Sequence, residues 1–189
     1  MKLNPTKCAF GVTSGKFLGF LVSQRGIEAN PEKIKAIIDM RHPDIKKEVQ
    51  QLNGRIIALS RFISRSAERC LPFFKTLRHA NGFSWSDECQ QAFEDLKRYL
   101  ASPPLLVKPQ VGETLYLYLA TSSEAISSVL VRENECRTHQ PIYYASKVLH
   151  GVEARYSETK KMIFVLTVSA QRLRPYFQAH SIGYSPTSP

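Results

Sequence analysis

Apolar positions recur at helical steps through most of the first hundred residues and gather into short aromatic and aliphatic runs after Pro104. The first thirty residues are an exception and read as extended. There Phe17-Leu18-Gly19-Phe20-Leu21-Val22 is a short apolar run and Ser23-Gln24-Arg25-Gly26 a turn-like tetrad, which together predict a β-hairpin. Gly19 inside the run leaves room for another backbone to come close. Asn30-Pro31 breaks the chain and sets Pro31 in the first turn of a helix that runs to about Met40. After His42-Pro43-Asp44, with Asp44 as N-cap, Ile45, Val49, Leu52, Ile56, Leu59 and Ile63 recur at steps of three and four, the period of a helix with one buried stripe. Gly54 marks either close helix packing or a division into two helices. Ser86 caps a third helix, whose apolar stripe is Cys89, Phe93, Leu96 and Leu100, and Ser102-Pro103-Pro104 ends it. Farther on, Leu115–Leu119, Ala125–Val131 and Pro141–Ser146 read as three consecutive antiparallel strands. A helix from about Glu158 to Tyr176 follows, with Ile163, Leu166, Ala170 and Leu173 as its buried face, and residues 183–189 form a disordered tail.

Composition narrows the class. With 189 residues and 43% hydrophobic content, the chain suits one compact domain or two small ones. It has no apolar run of membrane-spanning length and no hydrophobic leader, so the expectation is an intracellular protein without a membrane partner. Cys8, Cys70, Cys89 and Cys136 form no C-x-x-C pair, and they read as reduced, mostly buried thiols. The net charge of +10 is unevenly placed: residues 1–80 hold 15 Lys/Arg against 6 Asp/Glu, while residues 81–189 hold 11 against 10. Such a basic segment attracts polyanions, of which nucleic acid is the commonest. At 100° per residue along the second helix, Lys47, Arg55, Arg61, Arg65 and Arg69 fall within an arc of about 120° nearly opposite its apolar stripe.

These residues resemble a known family over positions 1–182. Leu3-Asn4-Pro5-x-Lys7-Cys8, Gly15-Lys16-Phe17-Leu18-Gly19-Phe20 and Gly26-Ile27-x-Ala29-Asn30-Pro31 look like the end of the reverse-transcriptase palm in Gypsy-type LTR retrotransposon Pol polyproteins of the plant kind. Lys47-Glu48-Val49-Gln50 through Ser60-Arg61-Phe62-Ile63 is similar to the thumb, and Phe83-x-Trp85 through Leu100 to the connection. Tyr143-Tyr144-x-Ser146-Lys147, Arg155-Tyr156 and Arg172-Leu173-Arg174-Pro175-Tyr176-Phe177 resemble the ribonuclease H-like domain. The fold so implied is α+β: a β-hairpin and helical thumb, then a partial ribonuclease H-like module of three antiparallel strands and a helix. Its divisions are the palm end at 1–30, the thumb at 31–80, the connection helix and linker at 81–110, the ribonuclease H-like part at 111–182 and the tail at 183–189.

The resemblance also implies roles. Phe17, Leu18, Gly19 and Phe20 correspond to the primer grip, and the cationic helix face to a thumb surface that follows the phosphates of an RNA–DNA hybrid or duplex. The remainder of the Pol polyprotein is the other expected partner. Both chemistries of the family use paired Mg²⁺ ions held by carboxylates. The palm's Tyr-x-Asp-Asp motif does not occur in the chain, whose start suggests a truncated reading frame or an excised fragment. Ala120 stands where the first ribonuclease H aspartate belongs and Lys160 where the helical glutamate does; Glu124 and Glu158 read as surface charges. The pattern stops at Ile182, before a fourth strand with its aspartate. The expectation is therefore a non-catalytic fragment that needs no cofactor. An open strand edge would expose Leu117 and Leu119 and allow self-association. Two other functions fit the same residues: a domesticated interaction module, and part of an active polymerase and nuclease once joined to the missing segments.

Overall fold

The computed structural model describes residues 11–17, 19–78 and 84–185. Expectations placed on Cys8, on Leu18, on the Phe17 side chain and on residues 186–189 lie outside those described. Strands β1 (Ser14–Phe17), β2 (Phe20–Ser23) and β3 (Gly26–Ala29) form an antiparallel meander. The apolar run is thus two strands rather than one. Its turn falls at Gly19, whose φ of +81° suits a residue without a Cβ, and Gly19 lies beside the Lys33 amine, not another backbone. The close backbone approach occurs at Gly26, where Ile27 and Leu106 exchange hydrogen bonds of 2.8 and 3.1 Å and the Leu106 carbonyl fills the place of a side chain.

Helix α1 (Pro31–Ile38) begins as the sequence predicts, with the Asn30 side chain accepting from the Glu32 N–H. Helix α2 (Lys46–Leu59) buries Val49, Leu52, Ile56 and Leu59. Its N-cap is Ile45, not Asp44; Asp44 pairs with His42 while its own N–H donates to Glu48. The long helix expected through Ile63 ends at Leu59. A 3-10 turn (Ser60–Phe62) follows, and Arg65 adopts a left-handed conformation at φ 52° before α3 (Ser66–Arg69) and α4 (Leu71–Arg78). The physical reason is the Tyr99 hydroxyl, which donates to the Phe62 carbonyl and accepts from the Ser64 N–H, groups a continued helix would use itself. Phe62 and Ile63 stay buried, so the apolar period outlives the helix.

Helix α5 (Asp87–Ala101) is capped by Ser86 and buries the expected Cys89, Phe93, Leu96 and Leu100. It closes a first core with α1, α2, α4 and Leu106, in which Trp85 stacks on Phe73 at 5.7 Å and meets Phe93 edge-on at 5.9 Å. Cys70 lies in this core, where burial pushes its thiol up to about 12; Cys89 is buried too, whereas Cys136 is exposed.

The second core is built on a sheet of β4 (Leu115–Thr121), β5 (Ala125–Glu133), β6 (His139–Val148) and β7 (Ile182–Ser185), in the order β6-β5-β4-β7. Between β6 and β7 come α6 (Glu158–Arg172) and α7 (Arg174–Ala179). Two expectations fail here. The chain after Ile182 is a fourth strand up to Ser185, paired parallel to β4 over Leu115 to Tyr118, and Leu117 and Leu119 are buried. The expected helix from Glu158 divides at Leu173, and it buries Lys161, Val165 and Ser169, while Ile163 is 61% exposed and Leu166 36%. A hydroxyl pair between Ser169 and Ser128 fixes that rotation against the sheet.

The two cores meet across the opposite sheet face. Ser146 of β6 shares a 2.6 Å hydroxyl contact with Ser66 and accepts from the Ala67 N–H, and Tyr144 packs on the first core. Val107 N–H donates to the Pro141 carbonyl one residue after Leu106 joins β3, so the linker stitches both cores.

Candidate nucleic-acid surface and the end of strand β4

The end of α2 at Leu59 leaves Lys47 and Arg55 on that helix and places Arg61, Arg65 and Arg69 on the elements after it. Arg55 donates to the Ala36 carbonyl at 2.6 Å, and Arg61 lies over the rings of Phe20, Phe62 and Tyr143 at 4.6 to 5.9 Å. Arg65 pairs with Glu68, and Arg69 donates to the Ser64 carbonyl while covering the Tyr99 ring. Of the five cations only Lys47 stands in solvent with no side-chain hydrogen bond or ion pair among the described residues. The other four each meet a carbonyl, a ring or a carboxylate of the chain, with Arg55, Arg65 and Arg69 still exposed.

A different surface is open. Helix α2 turns Lys47, Gln50, Gln51, Gly54 and Ile57 outward, with Ile57 64% exposed. A Cβ at Gly54 would meet nothing within 4 Å, so this glycine marks neither close packing nor a helix break. Glycine inside a helix costs about 1 kcal/mol relative to alanine, and no neighbour here offsets it. Glu32, Lys33, Ala36, Gln51, Gly54, Arg55 and Ala58 line a shallow groove between α1 and α2, with the Glu32 carboxylate paired to Lys16. Lys33 also reaches the hairpin, with its amine 5.8 Å from the Phe20 ring and beside Gly19. Hairpin turn, Lys33 and Gly54 thus form one continuous surface. The sequence pointed to Gly19 and Phe20 but missed Lys33 and misread Gly54; the unmatched glycine in the helix was the available signal.

The end of β4 carries the other expected chemistry. Ala120 shares its strand face with Tyr116 and Tyr118, and it lines a small cavity with Arg65, Ser127 and Ser146. Lys160 is exposed, and its N–H donates to the Ser157 cap. The lysine that turns inward is Lys161, 6% exposed, whose ammonium donates to the Ser122 and Ser123 carbonyls at 3.0 and 3.3 Å. Glu158 is no idle surface charge, because its carboxylate accepts from the Thr121 hydroxyl. Among the described residues no group of three or more His, Cys, Asp and Glu is placed to hold a metal ion. An ammonium facing carbonyls, next to Ala120 and Thr121, is not a donor set that fits a divalent cation.

A sequence profile of the RNase H-like domain found in reverse transcriptase matches residues 85–183, just over half of the chain. The chain belongs to that family. It is also 25% identical over 177 residues, 94% of its length, to the Transposon Tf2-3 and Tf2-4 polyproteins of Schizosaccharomyces pombe, and it spans 13% of each. The resemblance to Gypsy-type Pol polyproteins therefore holds across the thumb as well as the ribonuclease H-like part. The same fold occurs in a foamy viral protease-reverse transcriptase solved in complex with an RNA/DNA hybrid, at TM-score 0.76 and 20% identity over 95% of this chain and 24% of that one. A form of that protein in complex with double-stranded DNA aligns at TM-score 0.74 and 20% identity, covering 90% of this chain and 30% of the other. Among the described residues no helix of this reverse-transcriptase relative is long and apolar enough to cross a membrane.

Proposed function

We propose that this part of a retrotransposon reverse transcriptase holds an RNA–DNA hybrid or duplex along its thumb and does not itself cut or extend it. The observation that carries the reading is Gly54. A solvent-facing glycine in mid-helix, with open space where its side chain would be, serves close approach by something outside the chain, and a sugar-phosphate backbone is thin enough to use it. Lys33 and Lys47 flank the place with cations that suit phosphate, and the glutamines offer neutral hydrogen bonds. Gly19 and Phe20 act at the hairpin end of the same surface. The foamy viral relatives in complex with hybrid and duplex supply the partner class. Mg²⁺, polymerase and nuclease chemistry belong to other segments of the polyprotein.

Fluorescence anisotropy with a labelled hybrid tests this directly. Gly54→Leu fills the open place and raises helix propensity, so it is expected to weaken binding at least fivefold while the melting temperature holds or rises. Lys47→Ala should lower the slope of log K against log salt on duplex DNA by about 0.9, the contribution of one phosphate contact. A Gly54→Leu protein that binds like the parent sinks the proposal.

A further inference from the structure

Lys161 is a charge in an expensive place. Its side chain is 94% shielded, no carboxylate among the described residues pairs with it, and it sits in the first turn of α6, where the helix dipole disfavours cations. Among the described residues its ammonium has two polar partners, the Ser122 and Ser123 carbonyls in the turn between β4 and β5. The next carbonyl, Glu124, accepts from the Leu149 N–H at 2.8 Å, so three successive carbonyls of this turn face donors from inside the protein. The Glu124 side chain is held from the other side by Lys75 of α4, at 2.9 Å to each carboxylate oxygen. One turn therefore joins the thumb through Lys75 and the ribonuclease H-like helix through Lys161.

We propose that Lys161 is a built-in cation which closes α6 onto the end of β4, in the region where this fold family would use a divalent ion, and so makes the module independent of metal. The ammonium satisfies carbonyl dipoles and bridges helix to strand, as a bound cation would. Lys160 and the helix N-terminus add to its positive charge, which Glu158 offsets in part and the Lys75-paired Glu124 does not reverse, so no excess of negative charge remains there to draw Mg²⁺. The proposal rests on the non-catalytic reading of this module and is separate from hybrid binding at Gly54, which a Lys161 variant leaves intact.

Two measurements on the full chain test it. Titration of Mn²⁺ against a ¹⁵N-labelled sample should leave the amide signals of residues 120–125 unbroadened, and the melting temperature should be the same in EDTA as in excess Mg²⁺. Lys161→Met keeps the length and apolar stem but removes the charge; it should lower the melting temperature by about 4–8 °C and speed amide exchange at residues 122–125 at least tenfold. Lys161→Arg, which keeps the charge, should stay close to the parent. Mn²⁺ broadening at 120–125 in the parent chain overturns the proposal, as does a Lys161→Met protein with parental melting and exchange. If Lys161→Met does not fold, the Arg variant decides: folding supports the role of the charge, and failure to fold overturns it.

Discussion

Lys47 and Lys161 are the same residue type put to opposite uses. On α2, Lys47 is exposed two helical turns before the open Gly54. In the ribonuclease H-like module, Lys161 is shut against backbone carbonyls and its charge is spent inside the protein. The uneven charge along the chain reads the same way on both sides. Around the first core, Arg55, Arg61, Arg65 and Arg69 meet carbonyls, rings and Glu68, and beside the second Lys161 meets two carbonyls. A cation that meets a partner within the chain can still lie at the surface, as Arg55, Arg65 and Arg69 do. A guanidinium near a free carbonyl or an aromatic face satisfies local groups first, and what remains for a partner is whatever the fold leaves unmatched.

The largest test of this division is Phe93→Ala. It removes the ring that Trp85 and Phe73 pack against and should cost about 3–5 kcal/mol by urea denaturation. Hydrogen exchange by mass spectrometry should then show α2 and α5 opening ahead of β4 to β6. Equal loss in both regions would make the two cores one cooperative unit and erase the contrast.

The joint between them is smaller. Ser146→Val leaves the Ser66 hydroxyl and the Ala67 N–H without their partner, which should cost about 1–3 kcal/mol and raise exchange at residues 64–70 more than at α6. Unchanged exchange there would mean that Arg61 on Tyr143 and the Tyr144 packing hold the cores together without the serines.

The smallest effect concerns acid. Lys147 donates to Glu153 at 2.5 Å, and this hydrogen bond holds the Glu153 carboxyl below its usual range. A carboxyl depressed in the folded state adds stability above the unfolded value and loses it as pH falls through the folded one. Glu153→Gln should therefore flatten the acid limb of a melting-temperature profile slightly, with no change near neutrality in the slope against pH. A steeper acid limb in the variant would assign the sensitivity elsewhere.

Local patterns were enough to read α1, α5 and β4 to β6 from the residues alone. Asn30-Pro31 and Ser86 satisfy helix N-termini by themselves, and Cys89, Phe93, Leu96 and Leu100 keep a helical period whose burial requires no knowledge of what covers it. The ordered succession of motifs was legible for the same reason, whereas the turn at Gly19, read as the inside of one run, was not. Tertiary contacts decided the rest. Tyr99, more than thirty residues away, takes the backbone groups that would have carried α2 past Leu59, and Arg61, Arg65 and Arg69 fall on the elements after it. The Ser128–Ser169 pair rotates α6 so that Lys161, not Ile163, faces the sheet, and β7 covers an edge that looked open because its partner lies more than sixty residues before it. Period and capping act over a few residues and are written in them. Which face a helix buries, and which charge finds an internal partner, depends on groups that only the folded chain brings within hydrogen-bond reach.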